Sequence, residues 1–98
     1  MRIRLHVVIS SEEASVEQRV KEELLTYCSA LSFSPSREQP SLNNCMEWFG
    51  TADVTETEFS NLLFLNNDWD IYDGEYSAYG FNTKMFDSSV YYLQITTY

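Results

Sequence analysis

Apolar and polar side chains alternate from residue 2 to residue 9, and this alternation constrains the fold more than any other feature of the chain. Ile3, Leu5, Val7 and Ile9 fall on one side, and Arg2, Arg4 and His6 fall on the other. A period of two is typical of a β-strand with one buried face, and β-branched residues favour the same structure. We therefore predict a half-buried strand in the interior of a sheet. His6 lies on its polar face, where a solvent-facing or cross-strand role is favoured over a catalytic one.

A helical repeat follows this strand. Ser10 and Glu13 have the spacing of a capping box, which predicts a helix that begins at Ser10 and runs to about residue 31. The apolar stripe of this helix consists of Val16, Val20, Leu24, Tyr27, Cys28 and Leu31. This phase places Leu24 in the core and Lys21 in water.

Residues 32–44 separate the helix from the next apolar segment. Two prolines and several Ser and Asn residues remove the periodicity of both helix and strand, so we predict a loop. Residues 45–53 are predicted to form a strand. A bulge at Gly50 is an open alternative to a regular strand.

A second helix is predicted over residues 55–66. Thr55 and Glu58 repeat the capping-box spacing. The buried side of this helix is expected to consist of Phe59, Leu62, Leu63 and Phe64. Asn66 and Asn67 are expected to end the helix, because Asn tolerates the left-handed conformation at a helix C-terminus.

The last third of the chain is rich in strand-forming residues. Asp73-Gly74 is a dipeptide that favours a two-residue type I′ turn, which predicts a hairpin of residues 69–72 and 75–81. A last strand is predicted over residues 90–98. The order of strand, helix, strand, helix and antiparallel strands predicts one α+β domain over residues 1–98. We expect a mostly antiparallel sheet with two helices packed on one face.

Charged and aromatic residues are distributed unevenly along the chain, whose net charge is −9. Residues 1–37 contain five acids and five bases, whereas residues 38–98 contain ten acids and one base, Lys84. Thirteen of the fifteen aromatic residues lie after residue 45. This asymmetry points to a basic partner. It argues against direct binding to nucleic acid or to an anionic membrane, because phosphate contacts require Lys or Arg.

Residues 66–79, NNDWDIYDGEYSAY, combine both properties and contain no base. Carboxylates steer a basic partner and form charge-assisted hydrogen bonds, while aromatic rings supply contact area at little cost in side-chain entropy. We predict a partner-binding surface that consists of Asp68, Trp69, Asp70, Tyr72, Asp73, Glu75 and Tyr76. Strand alternation sends some rings to the core, so not all seven residues are contacts. In the alternative interpretation, the rings are strand residues with a purely structural role.

The sequence contains no catalytic signature, so we predict that the protein is not an enzyme and has no metal or cofactor. The carboxylates at positions 68, 70 and 73 have part of the spacing of a calcium loop. However, Tyr72 and Tyr79 occupy positions where an EF-hand loop requires a further oxygen ligand and its Glu. The three glycines, at positions 50, 74 and 80, are isolated and form no phosphate-binding loop.

Cys28 and Cys45 form no C-x-x-C motif, and we expect both thiols to be reduced and at least partly buried. The first residues are not typical of a targeting segment, and no apolar stretch has the length of a membrane span. These features favour a cytoplasmic protein.

In size, charge and aromatic content, the chain resembles the small acidic immunity proteins that bacteria make against their own nuclease toxins. Examples are those of colicin and contact-dependent growth-inhibition systems. No family motif matches residue by residue, so no site residues are carried over. The resemblance implies a monomeric inhibitor that occludes the active site or the substrate-binding surface of a basic nuclease toxin. Two alternatives stay open: a phage- or plasmid-borne inhibitor of a host nucleic-acid-binding defence complex, and a non-inhibitory protein-interaction domain.

Overall fold

An antiparallel sheet of seven strands and two helices make up the fold. The computed structural model describes all residues from Met1 to Tyr98. The elements in chain order are β1 (Arg2–Ile9), α1 (Ala14–Tyr27), β2 (Ser32–Phe33), β3 (Arg37–Glu38), β4 (Met46–Asp53), α2 (Glu56–Leu62) with a 3-10 turn at Leu63–Leu65, β5 (Asp70–Tyr72), β6 (Glu75–Tyr79) and β7 (Val90–Thr97). The predicted α+β class is confirmed.

Strand β1 lies in the middle of the sheet. The strand order is β2-β4-β1-β7-β6-β5, and β3 also pairs with β4. Every pairing is antiparallel. The predicted position of residues 2–9 in the interior of the sheet is therefore confirmed. The strands nearest the two ends of the chain, β1 and β7, are neighbours.

The alternation in β1 gives the sheet two unlike faces. Val7 lies opposite Trp48 on β4 and Leu93 on β7, and these three side chains belong to a core cluster of 17 buried residues. The same cluster includes Leu24 from α1 and Leu62 from α2. Both helices therefore pack on one face, as predicted. The opposite face, which we name the helix-free face, includes Arg4, His6, Phe49, Tyr92 and Gln94.

Helix α1 begins later and ends earlier than the sequence predicts. Its N-cap is Glu13, which makes no side-chain capping hydrogen bond, and its last residue is Tyr27. The predicted cap at Ser10 is wrong, because the Ser10 N–H donates to the Ser89 carbonyl at 2.8 Å and so extends the sheet pairing. The backbone of Cys28 is extended rather than helical, yet its side chain is buried in the core.

The prediction that Lys21 faces water is wrong. Its amine lies 5.1 Å from the centre of the Trp48 ring and 2.7 Å from a Glu17 carboxylate oxygen, and only 19% of its side chain is exposed. The Phe33 ring of β2 lies 5.8 Å away on the same side. Strands β2 and β4 thus extend the sheet beneath this side of α1. Leu24, by contrast, is fully buried as predicted.

The segment 32–44 is not entirely a loop. β2 and β3 both pair with β4, with Ser32 opposite Thr51 and Arg37 opposite Glu47. A strand of two residues has no periodicity for a sequence pattern to show, which is why the prediction missed both strands. β4 pairs with β1 in one continuous register, so the alternative of a bulge at Gly50 is wrong.

The start of α2 confirms the predicted capping box. The Glu58 N–H donates to Thr55 Oγ1 at 3.1 Å, and the Thr55 N–H donates to Glu58 Oε1 at 3.0 Å. The end of the helix differs from the prediction. Asn66 is extended, with φ −144°, rather than left-handed. Phe64 is 77% exposed rather than buried, because the 3-10 turn at Leu63–Leu65 changes the helical phase.

Candidate functional site

The hairpin of β5 and β6 forms one edge of the sheet, and together with the two residues before it contains the predicted binding residues. Tyr72 pairs with Glu75, and the two residues between them have positive φ angles, 50° at Asp73 and 77° at Gly74. Positive φ at both central residues defines the type I′ turn. The predicted turn is confirmed, although β6 ends at Tyr79 rather than at residue 81.

Four carboxylates in this hairpin and in the segment just before it have no cationic partner. Asp68, Asp70, Asp73 and Glu75 are all exposed, and none of them takes part in an ion pair. The one side chain that contacts them through a hydrogen bond is the amide of Gln94, which donates to Glu75 at 3.4 Å. The negative charge at this edge is therefore available to a partner.

Strand alternation divides the seven predicted residues into two groups. Trp69 and Tyr76 turn toward the helices, where they pack against the core with their ring centres 6.4 Å apart. The Trp69 indole N–H donates to the Leu63 carbonyl at 2.8 Å, and the Tyr76 ring meets Phe59 edge to face at 5.2 Å. These two rings have a structural role, as the alternative interpretation holds. The five residues left at the surface are Asp68, Asp70, Tyr72, Asp73 and Glu75.

Two large apolar side chains lie exposed among these carboxylates. Tyr72 is 80% exposed, and Ile71 is 60% exposed on the neighbouring strand position. Ile71 was not predicted as a contact, because its exposure depends on the position of β5 at the edge of the sheet, which the local sequence does not show. We name this surface the acidic edge, and it consists of Asp68, Asp70, Ile71, Tyr72, Asp73 and Glu75.

A second polar cluster lies on the helix-free face, and sequence reasoning missed it. Glu47 is only 2% exposed although it lies in the middle of β4. His6 Nε2 lies 2.7 Å from one carboxylate oxygen, and Arg37 Nε donates to the other at 2.6 Å. Burial by itself raises the pKa of Glu47, but the bonds to His6 and Arg37 outweigh it and leave the pKa below its ordinary value. The prediction of a cross-strand role for His6 is confirmed.

Aromatic stacking fixes this cluster in place. The His6 ring stacks on Phe49 with centroids 4.6 Å apart, and it meets the Tyr92 ring edge-on at 5.7 Å. The Arg4 guanidinium lies 4.2 Å from the centre of Phe49 on the same face. Every charged group around Glu47 is thus used in a contact within the protein. The cluster links β1, β3 and β4 through side-chain contacts, so its role is structural.

Further rings form a patch next to the acidic edge. Tyr79 lies 4.9 Å from Tyr92 and 5.4 Å from Phe81, measured between ring centroids, and Phe81 also lies 5.8 Å from Tyr91. Phe81 is 68% exposed. The sequence did not indicate this patch, because its members come from separate segments that only the pairing of β6 with β7 brings together.

The structure was also searched for a metal site, a disulfide and a membrane-spanning helix. No group of three or more His, Cys, Asp or Glu side chains converges on a point that suits a metal ion. Cys28 and Cys45 are both free and buried. Neither α1 nor α2 has the length and apolar content that crossing a membrane requires. Comparison with protein-family models, with characterised proteins and with solved structures gave no significant match to this chain.

Proposed function

We propose that this protein is an inhibitor that binds a basic protein through the acidic edge. In its specific form, the proposal is an immunity-type antidote that neutralises a nuclease toxin by occluding its active site or its substrate-binding surface. The observation that carries it is the set of four exposed carboxylates without ion pairs, placed beside the exposed Ile71 and Tyr72.

The chemistry of the target explains why such a surface inhibits. A nuclease needs a basic surface to hold phosphates, and a cluster of carboxylates competes for the same cations. Opposite charges also speed association, which matters for an antidote that must act before its target cuts nucleic acid. The exposed side chains of Ile71 and Tyr72, one on each side of β5, can supply the buried apolar area on which affinity depends. The proposal places the protein in the cytoplasm, in keeping with its free cysteines.

Affinity capture with matched variants tests the proposal. The tagged protein is incubated at low salt with lysate of the native organism, eluted at high salt, and the eluate is identified by mass spectrometry. Asp68→Lys with Asp70→Lys should reduce capture of the partner at least about tenfold, because like charges then face each other. Glu22→Lys with Glu38→Lys changes the net charge equally, through exposed carboxylates outside the hairpin, and should capture as the parent does.

The identity and activity of the captured protein decide among the three functions. Inhibition of its nuclease activity by the parent protein, but not by the hairpin variant, supports the antidote. Capture of a nucleic-acid-binding defence complex supports the phage or plasmid inhibitor instead. Equal capture by both variants would contradict the proposal, since net charge alone would then account for binding.

A further inference from the structure

We infer that the partner binds by adding an extended basic segment to the open side of β5, so that the sheet gains a strand. This inference rests on the proposed function and specifies how the acidic edge holds its partner. β5 is the last strand of the sheet and pairs with β6 alone. All three of its residues are exposed.

The register of the hairpin shows which backbone groups of β5 are free. Only two residues separate Tyr72 from Glu75, so this pair exchanges both of its hydrogen bonds across the hairpin. Hydrogen-bonded and non-hydrogen-bonded pairs alternate along an antiparallel ladder, which makes Ile71 a non-hydrogen-bonded position. Its N–H and C=O therefore point away from β6. Neither group takes part in any of the backbone hydrogen bonds made outside the helices and strands.

The side chains around this free position specify the partner's sequence pattern. A residue that pairs with Ile71 would lie beside its exposed apolar side chain and is expected to be apolar. The residues on either side of it would face Asp70 and Tyr72 on the helix-free side of the sheet. Lys or Arg at those places would pair with the carboxylate and contact the face of the ring. The expected segment is thus a strand in which basic and apolar residues alternate.

A second copy of this chain does not fit the same edge. Pairing two β5 strands would bring together the four carboxylates of each protein with no cation between them, and like charges at a strand pair are destabilising. Short, charged edge strands are a common protection against unwanted pairing. Here the protection is selective. The carboxylates repel an acidic strand, whereas they attract a basic one.

A peptide probe tests the inference on the intact protein. The probe is the synthetic peptide KVKVKVK, and its control is KKKKVVV, which has the same composition without the alternation. Binding is followed at low salt through the backbone amide signals of the isotope-labelled protein. We expect KVKVKVK to bind more tightly than its control. On binding, the Ile71 amide should shift and exchange its hydrogen more slowly.

Substitution of Ile71 separates strand addition from attraction by charge. Ile71→Pro removes the outward N–H but keeps all four carboxylates, and proline is tolerated on an edge strand where the N–H faces solvent. It should weaken binding of KVKVKVK about tenfold, which corresponds to ~1.4 kcal/mol. Ile71→Thr retains the N–H and should bind within about threefold of the parent, on the scale of a modest side-chain contact. Amide spectra of both variants report whether the fold is kept.

The outcomes distinguish this inference from the proposed function. Equal binding by Ile71→Pro and Ile71→Thr, or no slowing of Ile71 hydrogen exchange in the parent, would overturn strand addition. The proposed function would survive that result, provided that the lysine variants of Asp68 and Asp70 still fail to capture the native partner. If those variants capture normally, the proposed function fails whatever the peptide does.

Discussion

At the scale of single residues, Glu23 is a carboxylate whose surroundings favour its protonated form. It lies on α1 beside the ion pair in which Arg19 Nε donates to Asp87 at 3.0 Å. The pKa of Glu23 is raised from 4.5 to about 7. Burial makes the largest contribution, and the hydrogen bond to Asp87 and the negative charge of Asp87 add to it. Arg19 holds the pKa of Asp87 well below its usual range. Of the two carboxyl groups, Glu23 is therefore the one that takes up a proton as the pH falls to about 7.

This arrangement predicts a loss of stability as the pH rises. A carboxyl group with a raised pKa in the folded state contributes its stability below the unfolded value, 4.5, and loses it as the pH passes about 7. Glu23→Gln cannot ionise, so its free energy of unfolding should vary less than that of the parent between these values. It should also exceed that of the parent above pH 7. Urea titrations at several pH values measure both effects, with the exposed neighbour substitution Glu22→Gln as control. Parallel profiles for Glu23→Gln and the parent would contradict the prediction.

At the scale of elements, the connection between β6 and β7 depends on the absence of a side chain at Gly80. Its N–H donates to the Tyr91 carbonyl at 2.9 Å. A Cβ at this position would lie 2.1 Å from the Val90 carbonyl oxygen, which belongs to the backbone of a central strand and cannot easily move. At Gly50, a Cβ would meet the ring of Phe33 at 3.2 Å, and that ring lies on the short strand β2.

Replacement of these two glycines should therefore have unequal costs. Gly80→Ala should lower the free energy of unfolding by roughly 1–3 kcal/mol or more, as overpacking does in well-packed regions. Gly50→Ala should cost less, because a side chain can yield where a backbone carbonyl cannot. Denaturant titration of the two variants gives the comparison. Equal costs would show that β7 shifts to relieve the contact and that this part of the sheet is less rigid than it looks.

Elements with local signals were predictable from the sequence, and those without were not. β1 has its alternation, α2 has its capping box and the β5–β6 turn has Asp73-Gly74, and all three were predicted correctly. β2 and β3 owe their existence to pairing with β4, and Ser10 is held by Ser89 rather than by its own helix. These contacts join distant parts of the chain, so no local pattern contains them.

The candidate site shows the same division. The lack of ion pairs at these carboxylates follows from the absence of bases nearby, which the sequence displays directly. The orientation of Trp69 and Tyr76 depends on strand register, which the sequence did not fix. Ile71 is exposed because β5 is the outermost strand of the sheet, and the strand order is not visible in the local sequence. The burial of Glu47 could not be foreseen either, because its partners His6 and Arg37 come from two other strands.

At the scale of the whole molecule, the excess of negative charge is largely uncompensated. Five of the fifteen acidic residues take part in ion pairs, and ten do not. Mutual repulsion among exposed carboxylates opposes folding, and dissolved salt screens it over distances beyond about 10 Å at 0.1 M. Salt also screens the attraction between the acidic edge and a basic partner.

Added sodium chloride should therefore have opposite effects on folding and on binding. The Tm of the free protein should rise with salt, whereas its association with the captured partner should slow. The variant with Lys at positions 68 and 70 has less net charge, so its Tm should depend less on salt. Thermal unfolding and association rates across one salt series check both effects. A Tm that falls with salt would show that ion pairs outweigh repulsion in this protein.

The central position of β7 has a consequence for how the protein is made. β7 lies between β1 and β6, so it joins the first strand to the hairpin that carries the acidic edge. A ribosome releases the chain from its N-terminus, and residues 90–97 emerge after every other strand. Until then, β1 has an open edge and the hairpin has no sheet to join. The sheet therefore cannot be completed before residues 90–97 have emerged from the ribosome, and until then the nascent chain has no finished surface to offer a partner.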